Sequence, residues 1–196
     1  MGTESKNKFL TASELDIFTI PGFSERMTEI KTRISPKLGL LGEEVVNNIQ
    51  SSKGVVLFPH VAKHARRVIN PPDETWVALS PSPRGYKMHA HLAIGVGYYG
   101  AFVKCVAKSE SAEKALLAQA VNKLKTNRSI WIIKGDNPVE ADLESVLEVI
   151  DHKSYGLEIG VVIPEVPGET LAAWLDWTLK ELKSLWPLYN FVREKV

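Results

Sequence analysis

Three segments in the middle of the chain alternate apolar with polar or small residues, and this pattern constrains the fold more than any other feature. They run from Thr75 to Ser80, from His89 to Gly97 and from Ala101 to Lys108. A period of two is typical of a strand with one face on an apolar core. Only Tyr98-Tyr99-Gly100 separates the second segment from the third. The sequence therefore predicts neighbouring antiparallel strands, the last two joined as a hairpin.

The flanking segments predict helices on both sides of these strands and lone strands elsewhere. The predicted helices run from Ser24 to Ile34, from Pro36 to Gln50, from Ser111 to Leu124, from the turn at Gly135–Pro138 to Ile150, and from Gly168 onward. The predicted lone strands are Asp16–Ile20, Ser129–Lys134 and Leu157–Ile163. This order favours an α+β fold, a two-layer sandwich with a largely antiparallel or mixed sheet of about five strands covered by helices.

Length and composition limit the class of protein. A chain of 196 residues predicts one domain over 1–196, with about residues 1–10 flexible. The 24 basic and 23 acidic side chains leave a formal charge of +1, which excludes binding to nucleic acid through overall charge. Cys105 is the single cysteine, so no intramolecular disulfide forms. No apolar run reaches the ~20 residues of a membrane span, and a cytoplasmic protein is expected.

The most informative stretch is basic and runs from Phe58 to Lys87. It holds five lysines and arginines against two acidic residues. Pro59 indicates the start of a helix to Val68, and on such a helix one face would carry His60, Lys63, His64 and Arg67. The unpaired amides and the dipole of a helix N-terminus attract anions, so this face is a candidate anion or phosphate site. The alternative is a solvated basic face.

Two further features bear on chemistry. Arg84 and Lys87 lie in a loop stiffened by two prolines. The guanidinium of Arg84 would donate two parallel hydrogen bonds to a phosphate, and Lys87 would act as a point charge. His89 and His91 are two apart in a predicted strand and so share a face. Should the protein be an enzyme, His64 or His91 is the expected acid–base residue, whereas the alternative is that the histidines only make structural hydrogen bonds.

Other motifs are weighed against simpler structural interpretations. His60 and His64 have the spacing of zinc ligands, and a metal site would also require a third histidine such as His91. The glycines of Gly95–Gly100 match a dinucleotide fingerprint, but a strand follows them where that motif needs a helix, so we reject it. Tyrosines near the basic stretch would suit stacking on single-stranded nucleic acid.

One resemblance rests on Phe58–Arg67, Asn70–Pro72, Thr75–Ala78 and Arg84–Lys87, with Phe18–Ile20, Gly22, Arg26–Met27 and Ile30–Ile34 before them. In these segments the chain resembles the YktB-like family of low-GC Gram-positive bacteria, a family without an assigned activity. The resemblance implies a two-layer fold similar to the catalytic core of biotin ligases and class II aminoacyl-tRNA synthetases. It carries over no catalytic residue, and it implies a histidine at His91.

These observations together predict a protein that binds an anionic, phosphate-bearing ligand. The expected binding residues are His60, Lys63, His64, Arg67, Arg84 and Lys87. An RNA or protein interaction module that uses the same patch stays open as an alternative, as does a metal-dependent hydrolase built on His60, His64 and His91. The sequence leaves open whether a reaction is catalysed, which cofactor would serve it, and the oligomeric state.

Overall fold

The computed structural model describes residues 8–65, 69–135 and 137–196, and within these ranges seven strands form one antiparallel sheet. The strands are β1 (Phe58–Val61), β2 (Glu74–Ser80), β3 (His91–Gly97), β4 (Gly100–Ala107), β5 (Ser129–Lys134), β6 (Asn137–Ala141) and β7 (Tyr155–Ile163). Their order in the sheet is β1-β2-β3-β4-β7-β5-β6, and every neighbouring pair is antiparallel. The last strand in sequence thus lies between β4 and β5.

The predicted hairpin forms between β3 and β4. Gly97 pairs with Gly100, which leaves Tyr98 and Tyr99 as a two-residue loop. Gly100 has φ +118°, and a Cβ there would overlap the carbonyl oxygen of Ile163. Glycine is therefore required both by the turn and by the close approach of the chain after β7.

The helices share one main core with the sheet. They are α1 (Ala12–Leu15), α2 (Phe23–Glu29), α3 (Ser35–Lys53), α4 (Lys114–Leu124), α5 (Glu148–Asp151) and α6 (Leu171–Arg193). Helix α3 has Pro36 in its first turn and ends at Gly54, which adopts φ +66° as a left-handed cap. Helix α3 lies against β1 and β2, α6 against β3, β4 and β7, and α4 against β7 and α6.

Side-chain alternation along β4 shows how the sheet divides its two faces. Val103 and Cys105 belong to the main core beneath the helices, whereas Phe102 and Val106 form a smaller cluster on the opposite face. Lys104 lies between these last two in the alternation and shares their face. Along β4 the face on the main core is therefore small or apolar, and the opposite face carries Lys104 among aromatic and apolar side chains.

The amino-terminal segment joins the same core. Leu10 is fully buried, and its carbonyl oxygen accepts a hydrogen bond from Trp174 Nε1 at 3.1 Å. The Phe9 amide donates to the carbonyl oxygen of Glu169 at 2.7 Å. Phe9 and Leu10, at the end of the segment that the sequence predicts to be flexible, thus pack against the rest of the fold, and residues 1–7 lie outside the described ranges.

The fold class is confirmed as α+β with an antiparallel sheet, but the sheet has seven strands rather than about five. Three local predictions are wrong. Asp16–Thr19 is a turn of 3-10 helix instead of a strand, the chain from Pro59 onward continues strand β1 to Val61 instead of starting a helix, and Asn137–Ala141 is strand β6 instead of a turn that leads into a helix. In both new strands a proline that also suits a helix start lies at a sheet edge, where its missing amide costs no ladder hydrogen bond.

No helix among the described residues has both the length and the apolar character that are needed to cross a membrane.

Candidate functional site: a cleft on the open face of the sheet

A large cleft lies on the sheet face that the helices leave uncovered. Its volume is about 1630 Å³. Its floor is formed by side chains that point away from the core, among them Trp76 on β2, Lys104 on β4, Trp131 on β5 and Glu158 on β7. Its walls come from the chain after β1 and from the loop between β2 and β3. The alternation of the strands thus places polar side chains from four strands in one cavity.

An ionic cluster occupies the floor of the cleft. Glu158 accepts from Lys104 Nζ at 2.9 Å and from Lys108 Nζ at 3.0 Å, one lysine on each carboxylate oxygen. Lys104 Nζ also lies 3.7 Å from Glu74 Oε2, which accepts a hydrogen bond from the hydroxyl of Tyr99. The side chains of Lys104 and Glu158 are only 8% and 6% exposed. Each buried charge is therefore stabilised by its partner and would be costly without it.

Burial and pairing move the pKa values of this cluster in opposite directions. Burial alone would raise the pKa of Glu158, but the ammonium groups of Lys108 and Lys104 outweigh it and lower the pKa to about 2. Burial raises the pKa of Glu74, and the nearby Glu158 carboxylate adds to this against the opposing effect of Lys104. Of the two carboxylates, Glu158 therefore stays ionised down to a lower pH, and Glu74 binds a proton at a higher pH.

Aromatic rings surround the two buried lysines. Lys104 Nζ lies 4.5 Å from the ring centroid of Phe102 and 5.2 Å from that of Trp131. Lys108 Nζ lies 5.2 Å from the ring centroid of Trp76. Cation–π attraction of this kind offsets part of the cost of removing an ammonium group from water.

Five of the six predicted binding residues line the cleft, although not as a helix face. His60 lies in β1 and Lys63 and His64 in the chain that follows, while Arg84 and Lys87 lie on the opposite loop. His64 adopts φ +48°, which is incompatible with a continuous helix at this point. The predicted helical stripe is therefore wrong, and a strand end and a loop bring these residues together instead. Arg67 lies outside the described residues.

The exposed cations of the rim carry no counter-charge within the described part of the chain. Lys63, Arg84 and Lys87 are all exposed, and none of them forms an ion pair there. His60 Nε2 donates to the carbonyl oxygen of Ser82 at 2.8 Å and so connects β1 to the loop that carries Arg84. The rim thus presents free positive charge toward the cleft.

His89 and His91 do not share a strand face as predicted, because β3 begins only at His91. His89 Nδ1 lies 2.8 Å from Glu113 Oε1, and Glu113 Oε2 accepts from the Ala90 amide. His91 is fully buried, its Nδ1 donates to the His89 carbonyl oxygen at 2.9 Å, and the ring of Tyr86 lies 4.8 Å away. Burial lowers the pKa of His91 to about 4, so its imidazole is neutral at pH 7.

The hydrolase alternative lacks its ligand set. Across residues 8–65, 69–135 and 137–196, no three side chains of His, Cys, Asp or Glu are placed to hold one metal ion. Cys105 is buried in the main core, and burial raises the pKa of its thiol to about 12, so the thiol is protonated and unreactive at pH 7.

The floor of the cleft contains residues that the sequence reasoning missed. They are Glu74, Lys104, Lys108, Trp131 and Glu158. A signal was present, because Lys104 falls on an outward position of the predicted strand Ala101–Lys108 and Lys108 continues the same alternation, while the inward positions are all small or apolar. A lysine in the middle of a central strand, with a second one just beyond the end of β4, requires partners from the neighbouring strands.

Comparison with known sequences assigns the chain to a family. Residues 10–155 match the family described as "Domain of unknown function (DUF1054)". The chain is 36% identical over 203 residues to a UPF0637 protein of Bacillus mycoides strain KBAB4, which covers 92% of this chain and 97% of the relative. It is also 36% identical over 202 residues to a UPF0637 protein of Bacillus cereus strain B4264 and to one of Bacillus thuringiensis strain Al Hakam. Each of these alignments covers 91% of this chain and 96% of the relative. The chain therefore belongs to this YktB-like, or UPF0637, family of bacterial proteins.

Proposed function

We propose that the cleft binds a small anionic molecule that carries a phosphate group. The observation that supports this most is the set of exposed cations on the rim, Lys63, Arg84 and Lys87, which have no ion-pair partner among the described residues and line one cavity. Three like charges around a cleft raise the local concentration of an anion and are relieved by its binding. Arg67, although outside the described residues, stays in the proposed set from its place in the sequence.

The rim residues have distinct roles in this proposal. Arg84 offers a planar fork that donates two parallel hydrogen bonds to phosphate oxygens, and Lys63 and Lys87 act as point charges. His60 is a positioning residue, because its bond to the Ser82 carbonyl oxygen holds the loop on which Arg84 lies. His64 contributes to the same wall of the cleft, and its Nε2 lies 3.1 Å from the hydroxyl of Thr75.

The proposal is a binding function in the cytoplasm rather than a named reaction. A general base works best when its pKa lies near the operating pH, and the pKa of His91 at about 4 is too low for that role. A neutral, buried imidazole is suited to accept a hydrogen bond, which is a recognition role.

The test measures thermal unfolding with pyrophosphate and with ribose 5-phosphate. A ligand at ~100 times its dissociation constant stabilises by ~2.7 kcal/mol, which raises the midpoint by about 5 to 11 °C for a chain of this size. We expect this shift in the wild type and its loss in the Arg84→Ala/Lys87→Ala double variant.

The matched control is Lys180→Ala/Lys183→Ala, which removes two exposed lysines of α6 that lie outside the cleft. This variant should keep the full shift. An equal shift in the Arg84→Ala/Lys87→Ala variant, or no shift with either compound in the wild type, would overturn the proposal.

A further inference from the structure

The cleft is too large for a phosphate alone. Ligand pockets for small molecules commonly measure roughly 300 to 1,000 Å³, whereas this cleft measures about 1630 Å³. The rim cations named above occupy only its walls. The remaining lining leaves room for a second part of the ligand, which the proposed function does not describe.

That remaining lining is strongly aromatic. Two of the five tryptophans and three of the five tyrosines of the chain line this cleft. They are Trp76, Tyr86, Tyr98, Tyr99 and Trp131. Exposed Trp and Tyr side chains beside cations are the usual means of binding planar bases, since a base can stack on any aromatic face.

Tyr86 connects the aromatic lining to the basic rim. It lies two residues from Arg84 and next to Lys87 on the same loop. Its ring is held by edge contacts with the rings of Trp76 at 6.4 Å and His91 at 4.8 Å, and it lies 6.3 Å from that of His60. A ring fixed in this way loses little freedom on binding, and a phosphate on Arg84 would place an attached ring system beside it.

A buried hydrogen-bond acceptor lies behind Tyr86. Because Nδ1 of His91 donates to a carbonyl oxygen, the neutral ring carries no proton on Nε2. This Nε2 is buried and has no partner in the part of the chain that the structure describes. It borders a void of about 10 Å³ shared with Trp76, Lys108 and Glu158, which is about the volume one water molecule needs. An unsatisfied acceptor there fits a ring N–H or amino group that binds through one water.

From this arrangement we propose that the cleft recognises a nucleobase together with its phosphate, so that the ligand is a nucleotide. The inference rests on the proposed function, because the rim cations hold the phosphate. It adds that the aromatic lining around Tyr86 and Trp131 holds the base. The same chemistry is offered by a free nucleotide and by a segment of single-stranded RNA.

The experiment compares affinities by calorimetry for the four nucleoside 5′-monophosphates and for ribose 5-phosphate, which lacks only the base. Stacking of one base on an aromatic side chain contributes enough to change affinity by about tenfold or more. We expect at least one nucleotide to bind about tenfold more tightly than ribose 5-phosphate. Both Tyr86→Leu and Trp131→Leu should remove this difference and leave the affinity for ribose 5-phosphate unchanged.

Two variants are used because both rings pack against neighbouring side chains, and circular dichroism shows for each variant whether the fold is kept. The matched control is Tyr155→Leu, at a tyrosine outside the cleft, and it should keep the tenfold preference. An octamer of single-stranded RNA distinguishes a free nucleotide from RNA as the natural ligand. If the octamer binds much more tightly than the mononucleotides, and its affinity falls steeply with salt, the ligand is RNA. If the octamer and the mononucleotides bind equally, the ligand is the free nucleotide.

Equal binding of nucleotides and ribose 5-phosphate would overturn this inference and leave the proposed function standing. A preference for nucleotides that survives in both cleft variants would also overturn it. Absence of binding by every phosphate compound would overturn both.

Discussion

At the scale of single residues, the floor of the cleft depends on two lysines, Lys104 buried in β4 and Lys108 half-buried just after it. A buried ammonium group is costly unless it is paired, and the Glu158 carboxylate meets Lys104 and Lys108 at 2.9 and 3.0 Å. The aromatic rings around them complete the site. The floor of the cleft is therefore a rigid structure whose charges are largely satisfied, and the free charge lies on the rim.

Substitution Glu158→Gln should destabilise the protein strongly. It removes the shared partner of two buried ammonium groups and leaves only Glu74 near Lys104, so we expect a loss of about 3 kcal/mol in the free energy of unfolding. Urea denaturation measures this. The control is Glu169→Gln, which breaks the exposed pair with Lys8 and should change stability by less than about 1 kcal/mol. Similar small losses in both variants would show that the cluster is not a tightly coupled unit.

His91 should make stability depend on pH between about 4 and 6.5. The folded protein protonates His91 only near pH 4, because burial lowers its pKa, whereas the unfolded chain binds that proton near the ordinary value of 6.5. The unfolded state thus gains protons first as the pH falls, and stability decreases, by about 3 kcal/mol in total from this group. Urea denaturation at pH 7 and at pH 4 measures the loss.

The variant that tests this is His91→Phe, which cannot titrate. Its free energy of unfolding should lie below that of the wild type at pH 7, and the difference should shrink by about 3 kcal/mol at pH 4. The exposed His152 supplies the control His152→Phe, which should follow the wild type at both pH values. A constant difference between His91→Phe and the wild type would contradict the prediction.

The sequence predicts those residues of the site that belong to a local pattern, and it misses those that are brought there by pairing between distant strands. The rim residues Arg84 and Lys87 were found because a basic stretch can be seen in the sequence itself. Glu158 was not, because its role is set by pairing between β4 and β7, whose register joins residues about 50 positions apart. Long-range pairing of this kind leaves no local pattern.

At the scale of elements, the prolines explain where the sequence prediction succeeded and failed. Pro36 begins α3 as predicted, but Pro59 and Pro138 lie in β1 and β6, the two edge strands of the sheet. A missing amide and a fixed φ are acceptable at both kinds of position. The strands β2 to β4 were predicted correctly because their period-two pattern extends over seven or eight residues, whereas β1 and β6 are only four and five residues long.

The hairpin between β3 and β4 should be sensitive to its last turn residue. In Gly100→Ala a side chain would be forced into a left-handed conformation and against the Ile163 carbonyl oxygen, so we expect a loss of about 3 kcal/mol or more. Gly54 is the matched control, since it has φ +66° but nothing within 4 Å of an added Cβ. Gly54→Ala should cost about 1 kcal/mol, from backbone strain alone. Equal losses in thermal denaturation would contradict the assigned contact.

At the scale of the whole molecule, the two ends of the chain complete one core. Strand β7 separates β4 from β5 in the sheet, and α6 packs on β3, β4 and β7. The main core contains residues from Phe9 to Val192. The family match ends at residue 155, before most of β7 and all of α6. We propose that the chain nevertheless unfolds as a single cooperative domain, because the matched region alone has no complete sheet and lacks α6, which packs on β3 and β4.

Shortened chains test this proposal. A chain that ends at residue 167 keeps every strand but loses α6 and its buried apolar side chains Trp174, Leu182, Leu185, Leu188, Tyr189 and Val192. Full burial of such a side chain contributes about 1.5 to 3 kcal/mol, so the six together contribute an amount comparable to the whole 5 to 15 kcal/mol by which domains are commonly stable. This chain should show no cooperative thermal transition by near-ultraviolet circular dichroism and should expose apolar surface to a fluorescent dye.

A chain that ends at residue 155 should behave in the same way, since it also separates β4 from β5. A chain that ends at Arg193 is the control: it removes only residues 194–196, which are exposed, and should melt at the wild-type temperature. In the full chain, transitions followed in the near and far ultraviolet should coincide, as expected for two-state unfolding. A cooperative transition in the chain that ends at 167 would show instead that the sheet and the first helices form a domain that is stable without α6.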